Sequence, residues 1–166
     1  MLGDVHLSDD AGTFLDLHVA GYQFPDAEDL GQRFSWHVVE GSATADDGQW
    51  DFRYPALSCD ESPRVSAWLR ATARRLSSPA TVFRSPRTSD VLTFTEPNLS
   101  LAYTGQTDGL ADIEVSLDLE FAPPWHRQQQ AGTPFVLRFP LSCDRLKRVA
   151  DEWDEERSPY PDGPTS

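Results

Sequence analysis

The sequence predicts an α+β fold: a curved, mostly antiparallel sheet of about seven strands with two helices packed on one face, in the order βββα ββββα. Three observations carry this. Short stretches alternate apolar and polar residues, the period of half-buried strands. Two longer stretches space their apolar residues three and four apart, the period of a helix lying on a core. The links between most strands are too short for a crossover, so neighbouring strands must run antiparallel.

In the first half, Leu15, Leu17 and Val19 share one face of a strand. Phe34, Trp36 and Val38 share one face of a second, and Trp50, Phe52 and Tyr54 one face of a third. Ala45-Asp46-Asp47-Gly48 between the last two reads as a hairpin turn. His18 and His37 fall opposite those apolar stripes. Val65, Trp68, Leu69, Thr72 and Leu76 then predict a helix, started by Ser58 with Glu61 or by Ser62 before Pro63.

In the second half, strands are expected at 91–95, 99–103, 113–121 and 135–139. The third has the clearest alternation: Ile113, Val115, Leu117, Leu119 and Phe121 point one way, and Glu114, Ser116, Asp118 and Glu120 the other. Leu146, Val149, Ala150 and Trp153 predict the second helix, capped by Ser142 or Asp144. Phe52-Arg53-Tyr54-Pro55 before Leu57-Ser58-Cys59-Asp60 is echoed by Leu137-Arg138-Phe139-Pro140 before Leu141-Ser142-Cys143-Asp144. Both are strand-to-helix links, and similar local chemistry accounts for the echo without a duplication.

A length of 166 residues fits one domain, with a core over about 14–157. Residues 1–12 and the Pro- and Gly-rich 158–166 are expected to be loose. No apolar run approaches the ~20 residues that span a membrane, and the first ten residues lack a signal-peptide pattern. Two cysteines make a disulfide framework unnecessary, so a cytoplasmic location is expected.

The net charge of −13 is unevenly spread. Up to Glu61, thirteen acids face two arginines; 62–89 holds six arginines and no acid; the remainder is acidic again. Such a surface repels nucleic acid and attracts a basic partner. The one basic strip, Arg64, Arg70, Arg74, Arg75, Arg84 and Arg87, reads as the solvated face of the first helix and its following loop.

No zinc spacing, nucleophile elbow or phosphate loop occurs, so no metal or cofactor is expected. Cys59 and Cys143 each precede a helix, where a thiolate would be stabilised. Small buried apolar residues at tight links explain them better. Glu96, between aromatics and Pro97, is the acid that a small-molecule hydrolase would pair with a histidine. The row Glu114, Asp118 and Glu120 reads as a solvated sheet face.

Several segments, in order, resemble the WapI family of bacterial immunity proteins: Gly21-Tyr22-Gln23-Phe24-Pro25, Trp36-His37-Val38-Val39-Glu40-Gly41, Gly48-Gln49-Trp50-Asp51-Phe52 with Pro55, Phe94-Thr95-Glu96-Pro97-Asn98-Leu99-Ser100, and Leu119-Glu120-Phe121-Ala122-Pro123-Pro124-Trp125. The resemblance covers about residues 15–156. His37 departs from it, since similar proteins tend to be apolar there. The resemblance implies a non-enzymatic antitoxin that binds the toxic C-terminal domain of a large, contact-delivered protein. In the namesake system that toxin is a transfer-RNA-cleaving nuclease. A basic toxin cleft would meet acids on the exposed sheet face and loops: Asp46, Asp47, Asp51, Glu114, Asp118 and Glu120. A hydrolase using Glu96 and a histidine, and a generic adaptor, are the alternatives.

Overall fold

The computed structural model describes residues 5–77 and 90–164. The chain forms two four-stranded antiparallel sheets, each a meander in sequence order and each followed by a long helix. The first sheet holds β1 (Val5–Ser8), β2 (Phe14–Tyr22), β3 (Trp36–Ala45) and β4 (Gly48–Ser58), with the short helix α1 (Leu30–Arg33) between β2 and β3. Helix α2 (Ser62–Ser77) follows. The second sheet holds β5 (Val91–Leu92), β6 (Leu99–Thr107), β7 (Leu110–Leu117) and β8 (Phe135–Leu141), with α3 (Pro124–Gln129) before β8 and α4 (Cys143–Arg157) after it.

The α+β class and the antiparallel pairing are as expected, and the strands divide between two sheets. Each long helix contacts the other half's sheet: α4 packs on β1 and β2, α2 touches β7, and the helices pack on each other. Their buried faces, Val65, Trp68, Leu69 and Thr72 on α2 and Leu146, Val149, Ala150 and Trp153 on α4, are the predicted stripes. Both helices join the inner sides of the two sheets in one apolar cluster. Ser142 caps α4 by accepting from the Arg145 amide at 3.0 Å. At the start of α2, Glu61 accepts from the Ser58 amide (3.0 Å), the Thr95 amide (2.8 Å) and the Thr95 hydroxyl (2.7 Å). Burial acts to raise the Glu61 pKa, but those hydrogen bonds prevail and hold it below the usual carboxylate range.

Within the leader, Val5–Ser8 forms a strand. Val5 and Leu7 alternate with His6 and Ser8, and β1 pairs with β2 because Val5 and Leu7 bury against the core. In the tail, Tyr160 and Pro161 are also engaged. Tyr22 donates from its hydroxyl to the Pro161 carbonyl at 2.5 Å, and the Tyr22 and Tyr160 rings meet edge to face.

Strand β3 turns a different face inward from the one expected. Its core residues are Val39, Gly41 and Ala43, which pair with the inner residues of β2 and β4. Register shifts around Val38 bury His37, Val38 and Val39 in succession, so the Phe34–Trp36–Val38 stripe does not exist as one face. His37 is therefore internal, at 1% exposure. Its Nε2 donates to the Tyr160 carbonyl (2.7 Å) and its Nδ1 accepts from the Ser62 hydroxyl (2.6 Å), so one neutral tautomer is fully satisfied.

The predicted 113–121 strand stops at Leu117. Asp118 accepts from the Leu119 amide at 2.8 Å, Leu119 takes φ of 50°, and Leu119–Phe121 forms a 3-10 turn. The turn drives Phe121 inward, where its ring lies 4.3 Å from that of Phe52 and its carbonyl accepts from the Trp50 indole at 2.9 Å. Alternation continued past the strand because the turn also hides one apolar side chain.

Candidate partner-binding surface

The outer face of the first sheet is polar because β2, β3 and β4 share one register. Asp16, Ser42 and Asp51 form one cross-strand row, and His18, Glu40 and Arg53 the next. Asp16 accepts from the Ser42 amide at 2.8 Å, and the Ser42 hydroxyl donates to Asp51 at 2.6 Å. Glu40 accepts from His18 on one oxygen and from Arg53 on the other. The His18 hydrogen bond, helped by Arg53 and opposed by partial burial, holds the Glu40 carboxyl below its ordinary pKa. These rows line a shallow depression of about 420 Å³.

At one end of this sheet, the Asp46-Asp47 hairpin tip and Asp9 stand across a groove of about 280 Å³ from residues 135–138 of β8. Asp9 accepts from the Ala11 and Thr13 amides at 2.9 and 2.8 Å, which pins the β1–β2 turn. Burial slightly opposes its ionisation, but these backbone hydrogen bonds hold its pKa down. On the second sheet's outer face, Arg138 Nε donates to Glu114 at 3.0 Å beside a depression that also includes Asp112.

The six acids singled out from the sequence therefore separate. Asp46 and Asp47 are exposed at the hairpin tip, and Asp51 is exposed on the first sheet's outer face. Glu114 lies on the second sheet and is tied to Arg138. Asp118 is the last extended residue before the chain turns, and Glu120 lies beyond that turn's start. They belong to the 3-10 turn, where Asp118 caps and Glu120 accepts from the fully buried Asn98 at 2.7 Å. Sequence reasoning passed over Asp9, Asp16 and Glu40. Asp9 was legible in Asp-Asp-Ala-Gly between the Val5-Leu7 and Leu15-Leu17 alternations; Asp16 and Glu40 needed the β2–β3 register.

The residues of the enzymatic alternative lie apart. Glu96 sits on the β5–β6 bend, His18 on the outer face of the first sheet and His37 inside it. Cys59 is buried, and burial, with Asp162 and Asp60 nearby, pushes its thiol up to about 12. Cys143 sits half-buried at the start of α4 beside the Ser77 hydroxyl at 3.1 Å. On α2, Arg70 pairs with Asp151 and Asp154 of α4, and Arg75 with Asp90. Arg64 lies 5.5 Å over the Phe94 ring. Arg84 and Arg87 lie outside the described residues. Among the described residues, no helix is long and apolar enough to cross a membrane.

The family model of immunity protein WapI-like proteins matches residues 6–161. The chain belongs to the WapI-like immunity protein family. The match covers the residues of the acidic rows and of the groove. Neither the curated proteins nor the solved structures include a match to this chain. An immunity family points to toxin neutralisation by binding, a role that needs no catalytic group.

His37 gives the native state a pH dependence. Burial lowers its pKa; the Tyr160 carbonyl and Asp162 oppose this and Arg157 adds to it. An unfolded histidine titrates near 6.5. Above that pH the stability is fully present. As pH falls from about 6.5 towards the lower folded value, the unfolded chain takes up a proton that the native site resists, and stability is lost. Urea midpoints measured at pH 7.5, 6.5 and 5.5 should decline in the wild type, and the slope should flatten in His37→Gln. The carboxylates with lowered values act only at lower pH.

Proposed function

We propose that this protein neutralises a cognate toxin domain by direct association, as the immunity protein of a contact-delivered toxin in the bacterial cytoplasm. The observation that carries the reading is the family match across nearly the whole chain. The net charge of −13, with Asp16, Glu40 and Asp51 on one sheet face and Asp9, Asp46 and Asp47 at its end, supports a basic partner. Such a field speeds encounter and favours a cationic cleft such as a nuclease presents. Occlusion of that cleft would then protect the nucleic acid without any reaction at the immunity protein.

The test is co-expression with the toxin domain encoded beside this gene. Growth should be rescued, and the purified domains should form a complex whose affinity falls as salt rises. Lysine at Asp46, Asp47 and Asp51 should weaken binding by about tenfold or more, with unfolding midpoints unchanged because these side chains are exposed. Lysine at Asp118 or Glu120 should instead lower stability, because the 3-10 turn and buried Asn98 lose their partner. Unaltered toxin affinity in the triple variant removes the acidic surface from the mechanism.

A further inference from the structure

The edge of β8 is unusual among the sheet edges. The other edges of the two sheets are β1, of four residues, β5, of two, and β4, which is backed by the Leu119–Phe121 turn through Trp50 and Phe52. Strand β8 has seven residues and, among the described residues, pairs only with β7. Its ladder phase follows from Pro140, which faces Asp112. Proline has no N–H, so this pair cannot exchange hydrogen bonds. Pairs alternate along an antiparallel ladder, so Glu114–Arg138 and Ser116–Val136 are also non-bonded pairs. The N–H and C=O of Val136 and Arg138 thus point away from β7, and among the described residues they meet no backbone partner.

These groups border the groove whose far wall is Asp9, Thr13, Asp46 and Asp47. Among the described residues its one cation, Arg138, is already joined to Glu114. The groove thus combines a peptide edge whose donors and acceptors lack backbone partners with three carboxylates that pair with no cation among the described residues.

We propose that a partner's extended segment adds beside β8 as a fifth strand of the second sheet, with basic side chains at alternate positions set against Asp9, Asp46 and Asp47. Backbone pairing supplies affinity without regard to sequence, and the acidic wall selects the charge. A second copy of this chain is a poor occupant, because it would bring the same three carboxylates against these. The inference rests on the immunity reading only in naming the partner as a toxin segment; the edge and its charge stand without it.

The test uses the full 15N-labelled chain and a capped heptapeptide of alternating lysine and valine, with a glutamate–valine peptide as its counterpart. The lysine peptide should slow amide exchange at Val136 and Arg138 by about tenfold or more, and the glutamate peptide should not. Val136→Pro removes one outward N–H and leaves the β7 bonds intact. It should weaken the lysine peptide by about tenfold, while Val136→Ala stays within about twofold. Asp46→Lys with Asp47→Lys should weaken it similarly. Equal binding by Val136→Pro and Val136→Ala, protection at other strands instead, equal capture of the glutamate peptide, or pairing of two copies through β8 would each overturn the proposal. With the toxin domain, binding lost in Val136→Pro and kept in Val136→Ala supports the edge. Toxin binding equal in both overturns the edge and leaves the immunity reading intact. Peptide capture at β8 by a wild type that neither binds nor neutralises the toxin supports the edge and sinks the immunity reading.

Discussion

Trp153→Ala should lower the unfolding free energy by about 3–5 kcal/mol, the range for emptying a large aromatic site in a packed core. Trp153 is 1% exposed on α4, at the interface with α2. Its indole N–H donates to the Ser62 carbonyl at 2.8 Å, so the side chain also holds the first turn of α2. The alanine variant leaves a cavity and removes that hydrogen bond. Trp153→Phe separates these effects: it keeps most of the volume and should cost about 1–2 kcal/mol, mainly for the lost indole hydrogen bond. Urea denaturation read by far-ultraviolet circular dichroism gives both values. Since a domain this size is stable by only about 5–15 kcal/mol, the alanine variant loses a large share of its stability. An alanine cost below about 1 kcal/mol would mean that α2 and α4 do not share this core.

Gly41→Ala should cost roughly 3 kcal/mol, the upper end of overpacking penalties. Gly41 lies on the inner face of β3 between Leu17 and Phe52 in the register. A Cβ there would sit 2.2 Å from the Asp16 carbonyl oxygen and 2.8 Å from the Phe52 ring. The ring can move, but the carbonyl belongs to the β2 backbone and cannot turn aside without disturbing the ladder. Phe52→Leu should therefore recover only part of the loss in a double-mutant cycle. Because Asp16 and Ser42 flank this point on the outer face, the displaced backbone should also weaken toxin binding. A thermal melt and a binding titration on the same sample check both. Full recovery by Phe52→Leu would show that the ring alone sets the requirement for glycine.

The two predictions expose where local pattern suffices and where it does not. Both helix stripes were legible because a helix buries residues three and four apart whatever it packs against: Trp68 and Leu69, and Leu146 and Trp153, were found from spacing alone. The Asp46-Asp47 hairpin was legible because a short acidic turn ending in glycine joins two alternating stretches. The inner face of β3 was not. Its core residues are small, and Phe52 from the neighbouring strand fills the space above Gly41. Aromatic Trp36 therefore drew the stripe onto the wrong positions, and the shift at Val38 placed His37 inside. Nor was the end of β7 legible, because Leu119, Glu120 and Phe121 continue an alternation that the backbone has already left.

Alternation, helical spacing, turn residues and charge thus set the α+β class, the order of the main elements and the acidic character of the surface, since each depends on residues near one another along the chain. Which acids stand together depended on register and on the meeting of two sheets. Asp9, Asp46 and Asp47 come from separate turns, and the edge of β8 that faces them is 88 residues beyond the hairpin tip at Asp47, counted to Phe135. Hydrogen-bond phase and the approach of distant turns are products of packing, and no local pattern of side chains encodes them.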